Sequence, residues 1–469
     1  MQKEQTEIKL YNTAERKIVN FKPIEKGKIG LYVCGPTVYG PAHIGHARTY
    51  VAFDIIKRYL KYRCFKVRHI VNITDIHDDI MKKAREQNTT IFKLADQNIK
   101  LFFKDMDALG VERADVYPRV TEHIKEIIEL IQTLEKKGYA YETEDGVYFK
   151  VSKFKDYGKL SGIKLQKSKT GTRVDTDKYD KEAAMDFALW KKAKLNEPFW
   201  ESPWGKGRPG WHIECSVMSM KNLGQTLDIH GGAKDLIFPH HENEIAQSEA
   251  ATGKQFVNYW LHTGLLTIEN EKMSKSMGNF IIIPDLLAQY DAKAFRFFIA
   301  GMHYRSEIDF SEDSMQKTKA ALEKINNFIQ TLHEISAEGK DSKEVSGLIA
   351  LARSQFISGM DNDFNTPKAM AGIFDFVRET NRLISEKKLT KKDAEKALSF
   401  MKELDSVFNV FDFRHKKAEL PSDVAELARQ REEARKKKDF KRSDELRNLI
   451  LEKGYLVNDT PEGQKIRKK

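Results

Sequence analysis

Residues 29–73 read as strand, helix, strand, and this order restricts the fold more than any other feature of the chain. Residues 29–34 form a short apolar run suited to a buried strand, and Pro36 and Pro41 punctuate the loop behind it. From His43 the residues Val51, Ile55 and Tyr59, with Ile56 and Leu60, recur at helical spacing, and residues 67–73 read as a second strand. Further helical patterns lie near residues 78–87 and 90–109. This rhythm predicts an α/β fold in which helices wind a parallel sheet. No G-x-G-x-x-G follows the first strand, which argues against an NAD-type site.

Beyond this unit the sequence predicts a long helix at about residues 119–137 and a hairpin at 139–151 turning at Asp145-Gly146. The stretch up to about Gly210 is rich in Lys, Trp, Pro and Gly and reads as irregular and inserted. Strand and helix alternate again through residues 226–230, 239–251 and 258–266. From about Ser314 strand signals vanish and the chain reads as helical to Gly454, itself placed for a helix C-cap. The 469 residues suffice for about three domains.

Composition excludes several classes. Hydrophobic residues at 40% and charged residues at 32% describe a globular chain rather than a disordered one. Residues 1–10 lack an apolar core, so no signal peptide is expected, and no run approaches the roughly 20 apolar residues that cross a bilayer. Three scattered cysteines, Cys34, Cys64 and Cys215, argue against a disulfide framework and for a reducing, cytoplasmic setting. The 80 basic residues exceed the 69 acidic ones, which points to a polyanionic partner only if the excess is localised.

Two short motifs carry chemistry. His43-Ile44-Gly45-His46 falls where a helix begins beyond the carboxyl end of a strand, the edge at which open parallel sheets bind ligands. The helix N-terminus favours an anion, His43 and His46 share a helical face, and Gly45 leaves room for a flat ring. A lone H-x-x-H could merely decorate a helix start; its location favours a nucleotide. Lys272-Met273-Ser274-Lys275-Ser276 lies in a polar loop, followed by Gly278 and Asn279. Its two ammonium groups are suited to charge that builds on departing pyrophosphate, although alone it could be a solvated loop.

The ordered pair of these motifs around a wound sheet resembles the paired signatures of class I aminoacyl-tRNA synthetases. LYVCGPTVY (31–39), Asn72-Ile73-Thr74-Asp75, PGWHIECS (209–216) and FPHHENEIAQ (238–247) resemble the cysteinyl-tRNA synthetases, and the resemblance spans nearly the whole chain. It implies a Rossmann-type catalytic domain over residues 1–310 with an insertion at about 111–209. A helical bundle domain over 311–413 and an anticodon-binding helical region over 414–469 would follow. It further implies activation of L-cysteine by ATP, with Mg2+, and transfer to tRNA(Cys), by a cytoplasmic monomer.

The resemblance places one Zn2+ per chain on Cys34, Cys215, His240 and Glu244. It assigns ATP binding and catalysis to His43, Gly45, His46, Lys272 and Lys275, and the cysteine pocket to Cys34, Thr74 and Trp211. The residues agree in part. His240 and Glu244 are i, i+4 on a predicted helix and leave one face, whereas His241 is rotated away by one position. An isolated buried Cys is more often a core residue, and H-x-x-x-E is common by chance. Cys64 matches no motif and is assigned to packing. A thiolate suits zinc far better than a serine hydroxyl, so discrimination at binding needs no editing domain.

Between Arg429 and Arg442 the chain carries eight basic residues against three acidic, either a solvated helix face or a set of phosphate contacts. The tail 465–469 is expected to be disordered. Two rival readings remain: a cysteine ligase acting on an amino sugar, and an inactive tRNA- or zinc-binding paralogue. The long helical extension counts against the first, and the intact motifs count against the second.

Overall fold

The computed structural model describes residues 7–163, 173–174, 186–273, 278–415, 421–460 and 463–468. The elements that build the site are β1 (Lys28–Val33), α1 (Ile44–Tyr62), β2 (Lys66–Val71), α2 (Trp211–Leu223), β3 (Leu227–Ala233), α3 (Glu242–Thr252) and β4 (Val257–Thr263). The four strands are parallel in the order β4-β3-β1-β2, and bridges from Ile70 to Val116 and from Ile73 to Arg119 extend the β2 edge. The chain steps outward from β1 to β2 and later returns with β3 on the other side of β1. The crevice beyond the carboxyl ends of β1 and β3 is therefore the point where such sheets bind ligands.

Helix α1 is buried over most of its surface, and its buried polar groups are all the more constrained for it. Arg48 donates to the carbonyls of His303 at 2.8 Å, Tyr304 at 2.9 Å and Ser306 at 3.3 Å. Asp54 pairs with Arg58 at 2.8 Å and with the buried Arg296 at 2.7 Å. Arg296 also donates to the carbonyls of Phe408 at 2.9 Å and Leu109 at 3.2 Å. These bonds fasten α1 to the helices Ala292–Ala300 and Lys391–Phe408. The latter belongs, with Glu312–Glu334, Lys343–Met360 and Thr366–Ser385, to a helical region within the compact unit Met1–Phe411.

Three expectations are corrected. The stretch before Gly210 is not wholly irregular: Asp186–Lys192 is a buried strand that pairs antiparallel with Gly146–Phe149 and Gly207–Pro209 and parallel with Arg173–Val174. Its apolar run Phe187-Ala188-Leu189-Trp190 is short, preceded by Asp186 and followed by Lys191 and Lys192. Gly207 lies in a strand where bare backbone is needed, since a Cβ there would come within 2.2 Å of Trp190 Nε1. Cys64 is exposed rather than packed; it ends α1 in the left-handed region at φ 67°.

The third correction concerns the tail. In the unit Asp412–Lys469, helices Ser422–Lys436 and Phe440–Glu452 precede an antiparallel hairpin of Tyr455–Thr460 and Gly463–Lys468. Ile466 falls opposite Val457 and packs against the core of Val424, Ala428, Ile450 and Val457. One apolar residue among cations is too little for a strand signal in sequence, yet it suffices once a partner strand supplies the register. Arg431, buried, pairs with Asp459 at 2.8 Å. No described helix is long and apolar enough to cross a membrane.

Asp54→Asn leaves the Arg296 guanidinium buried without its counter-charge. The expected loss is about 3–5 kcal/mol, measured by denaturation of the variant against the parent chain.

Candidate active site

Cys34 is the first residue past β1, and its N–H donates to Gly231 O of β3 at 2.9 Å. Cys215 lies in α2 and Glu244 in the first turn of α3. Ahead of α3, residues Ile237–His241 make a wide turn in which Phe238 is extended at φ −137°, ψ 134°. That turn carries two imidazoles to the sheet edge. One ligand-capable atom from each of Cys34, Cys215, His240 and Glu244 lies within 4.8 Å of the others. His240 Nε2 is 3.1 Å from Glu244 Oε1, and Cys34 Sγ is 3.8 Å from the same oxygen. All four side chains are buried.

His241, expected to point away, joins them. Its Nε2 lies 3.2 Å from Cys34 Sγ, and Cys34, His230, His241 and Glu244 form a second, overlapping group within 4.8 Å. Regular helix starts only at Glu242, so the angular argument that turned His241 aside does not apply across the wide turn. Rings behind the cluster hold it: His240 Nδ1 is 3.0 Å from His212 Nδ1, and His241 Nδ1 is 2.8 Å from His262 Nε2, whose Nδ1 is 2.8 Å from Thr13 Oγ1. His230 stacks on Trp260 at 4.5 Å.

The electrostatics fit a cation. Glu244 Oε2 is buried with no hydrogen-bond partner, His230 Nε2 standing 3.6 Å away. Burial, then the neighbouring Cys215, pushes the Glu244 carboxyl well above its ordinary range, and burial also raises the Cys34 thiol. For Cys215 burial acts upward too, but the hydrogen bond with Cys34 and the adjacent His240 outweigh it and hold that thiol well below its ordinary value. Burial lowers His230 and His241, and a neutral imidazole is the form with a lone pair to give. A bound divalent ion would offset the uncompensated carboxylate, and two thiols, an imidazole and a carboxylate make a donor set for a borderline metal. The cluster is compatible with a metal site.

The proposed pocket residues adjoin it. The Trp211 ring lies 4.3 Å from the His240 ring. Thr74 Oγ1 donates to Glu214 Oε2 at 3.2 Å and accepts from Asn72 Nδ2 at 3.3 Å. Glu214 and His230 escaped the sequence reading, and His241 is set aside there. Glu214 sits inside a quoted segment, but nothing in the sequence marks a glutamate beside Cys215 as buried.

The two motifs also meet. His43 caps α1, its N–H donating to His46 Nδ1 at 3.3 Å while the two rings stack at 3.8 Å. Burial, then the adjacent His43, pushes His46 down to about 3, so it acts as a neutral hydrogen-bonding group. A Cβ on Gly45 would lie 3.0 Å from two atoms of the His43 ring and 3.5 Å from Met273 Cε. Just past the second motif, Ile281 O accepts from Ile44 N at 3.1 Å, and Ile283 N donates to Ala42 O at 3.0 Å. The backbone thus pins the first motif to the segment that follows the second. Lys272 ends the short strand Glu271–Lys272, whereas Ser274, Lys275 and Ser276 lie outside the described residues.

A reversing parallel sheet with the first motif at its carboxyl edge, joined there to the segment that follows the second, is the arrangement of a class I aminoacyl-tRNA synthetase. Accordingly, the family described as tRNA synthetases class I (C) catalytic domain matches residues 20–320. A DALR domain matches residues 355–412 and a cysteinyl-tRNA ligase anticodon binding domain matches 417–467. The cysteine–tRNA ligase of Thermococcus onnurineus is 47% identical, covering 97% of this chain and 98% of its own length. That of Pyrococcus abyssi is 48% identical, covering 96% and 97% respectively. The chain belongs to the cysteine–tRNA ligase family. Among solved structures, Mycobacterium tuberculosis methionyl-tRNA synthetase in complex with methionyl-adenylate aligns with TM-score 0.62 at 16% identity, over 81% of this chain and 89% of that one. At that identity the likeness concerns the fold alone.

A Cβ at Gly231 would come within 2.2 Å of the Phe53 ring on α1. Gly231→Ala is therefore expected to cost about 1–3 kcal/mol through overpacking. A thermal melt of the variant unchanged from that of the parent would show that the sheet and α1 are less tightly seated than this.

Proposed function

We propose that the chain activates L-cysteine with ATP and Mg2+ to cysteinyl-adenylate and transfers the cysteinyl group to tRNA(Cys). The observation that supports this reading is the bonding of the His43–His46 turn to Ile281 and Ile283, past the second motif, on a sheet whose carboxyl edge carries a buried Cys/His/Glu cluster. His43 and His46 hydrogen-bond the triphosphate at the start of α1, Gly45 admits the flat adenine, and Lys272 and Lys275 meet the charge that grows on the leaving pyrophosphate. Cys34, Cys215, His240 and Glu244 hold one Zn2+ per chain, which supplies a contact for the substrate sulfur that a serine hydroxyl cannot match. Trp211 and Thr74 wall the amino-acid pocket.

The catalytic domain runs over residues 1–310 with its insertion at about 111–209, the helical bundle over 311–413 and the anticodon-binding region over 414–469. The enzyme works as a cytoplasmic monomer. Matches to the DALR and anticodon-binding domains speak against an amino-sugar ligase, and intact motifs speak against an inactive paralogue. Cysteine-dependent ATP–pyrophosphate exchange, repeated with tRNA for the transfer step, tests the reading. Exchange and transfer are both expected, with about one zinc per chain by metal analysis. Exchange without transfer would favour the amino-sugar ligase, neither would favour the inactive paralogue, and fully active zinc-free protein would remove zinc from the mechanism.

For tRNA, Lys437, Lys438 and Lys441 are exposed, while Arg429 pairs with Glu426 and Glu433 and Arg442 with Glu445. Phe440, 64% exposed between Lys438 and Lys441, offers a ring face on which a base can stack. Neutralising Lys436, Lys437 and Lys438 to alanine is expected to weaken tRNA binding and flatten its salt dependence, by roughly one in slope per lost phosphate contact. Exchange without tRNA should be untouched. Equal slopes of log affinity against log salt for variant and parent would return this run to a solvated face.

A further inference from the structure

We propose that Asp78 is a positioning residue for the amino-acid pocket, acting by a charge clasp on the inserted sheet; the proposal rests on the reading of cysteine activation given above. Strands Asp186–Lys192 and Gly207–Pro209 pair antiparallel with Lys191 directly opposite Arg208. Side chains paired in this way leave the same face, and like charges in that register repel. Both are withdrawn from water, Lys191 to 8% exposure and Arg208 to 6%. The offsetting charge comes from another part of the chain. Asp78, the first residue of the helix Asp78–Glu86, sets Oδ2 3.0 Å from Lys191 Nζ and accepts at Oδ1 from Arg208 Nη2. Glu197 is a weaker partner, its Oε2 lying 3.9 Å from Arg208 Nε.

The clasp joins the two walls of the pocket. Asp78 follows His77 directly, on the segment that carries Thr74. On the other side the chain runs from Arg208 through Pro209 and Gly210 into Trp211, and Gly210 N donates to Leu189 O at 2.8 Å. The Trp211 ring lies 4.3 Å from that of His240 and meets His77 edge-on at 6.0 Å. A shift of strand Gly207–Pro209 relative to Asp78 therefore moves Trp211 against both histidines at once. Among the described residues Asp78 is not one of the ligand-capable groups of the cluster, and its contacts with Lys191 and Arg208 lead to the pocket through the strand.

Asp78→Asn keeps the shape and removes the charge, which makes it the test in the full-length enzyme. The KM for cysteine in pyrophosphate exchange is expected to rise about tenfold, as misplaced walls weaken binding of that substrate alone. The KM for ATP and the metal content should be unchanged. Adding Lys191→Met to Asp78→Asn removes one of the two like charges that face each other across the strands and should return part of the lost affinity, a non-additivity that a pair in contact shows. An unchanged cysteine KM in Asp78→Asn overturns the proposal. So does a loss of cysteine binding, ATP binding and metal together, which is the mark of a general packing defect. A parent enzyme without cysteine-dependent exchange would bring down the functional reading itself, a result told apart by needing no variant.

Discussion

The bond from Cys34 N to Gly231 O at 2.9 Å closes the pairing of β1 with β3 at the point where the strand order reverses, and the site depends on it. The ladder pairs Leu31 with Ile229, Tyr32 with His230 and Val33 with Gly231. Because side chains alternate between faces, a slip of one residue would carry His230 to the far side of the sheet and withdraw Cys34 from His241. The register also requires two glycines. A Cβ on Gly231 would meet the Phe53 ring at 2.2 Å, and one on Gly232 would meet His241 Cε1 at 2.9 Å. Bare backbone at the carboxyl end of β3 lets α1 close on one side and the wide turn on the other.

Around that edge the chain buries charge in two different ways. Along α1 the buried charges have answering groups: Arg48 Nη2 has three carbonyls, although its Nε is left without a partner among the described residues, and Asp54 has Arg58 and Arg296. At the cluster the answer is incomplete. Glu244 is buried with one oxygen unpartnered, and its carboxyl and the Cys34 thiol are pushed up while Cys215 is drawn down. A scaffold gains nothing from such an arrangement, since an uncompensated buried carboxylate costs several kcal/mol and tends to neutralise. A site gains a place where a cation binds strongly. Framework groups such as Asp105 Oδ2 and Arg431 Nε are also left without a partner among the described residues, so it is the contrast in company, thiols and imidazoles gathered around one carboxylate, that sets the cluster apart from the framework.

The same contrast explains what could be read in the sequence. The strand–helix–strand unit was legible because Val51, Ile55 and Tyr59 keep helical period and residues 29–34 form an unbroken apolar run. The paired motifs were legible because each is local. The cluster was not: spacing joined only His240 with Glu244, and the family resemblance supplied Cys34 and Cys215, which come from β1 and α2. His241 was misjudged because helical geometry was extended back over Ile237–His241, where Phe238 is extended. The strand Asp186–Lys192 is not legible because its partners lie elsewhere in the chain, and the tail strand Gly463–Lys468 because Ile466 is its one apolar side chain; a strand's pattern is weakest where pairing supplies the order.

The inserted sheet is more than an appendage on this frame. Its last strand, Gly207–Pro209, ends one residue before α2, so the segment that closes the insertion also launches the helix carrying Cys215. Gly207 and Gly210 admit close approach, since a Cβ on either would fall within 2.2 Å of Trp190 Nε1 or 2.0 Å of Ala188 O. The strand therefore cannot slide outward or rotate without breaking its seat on Asp186–Lys192. Trp211 inherits that rigidity and presents its ring to His240 at 4.3 Å. Discrimination between a thiol and a hydroxyl of similar size has to come from one specific contact, because an apolar pocket separates near-isosteres only weakly. Such a contact discriminates only while the rest of the substrate is held still. In this chain the insertion holds Trp211 and the edge of the parallel sheet holds Thr74, the two residues proposed to wall the pocket.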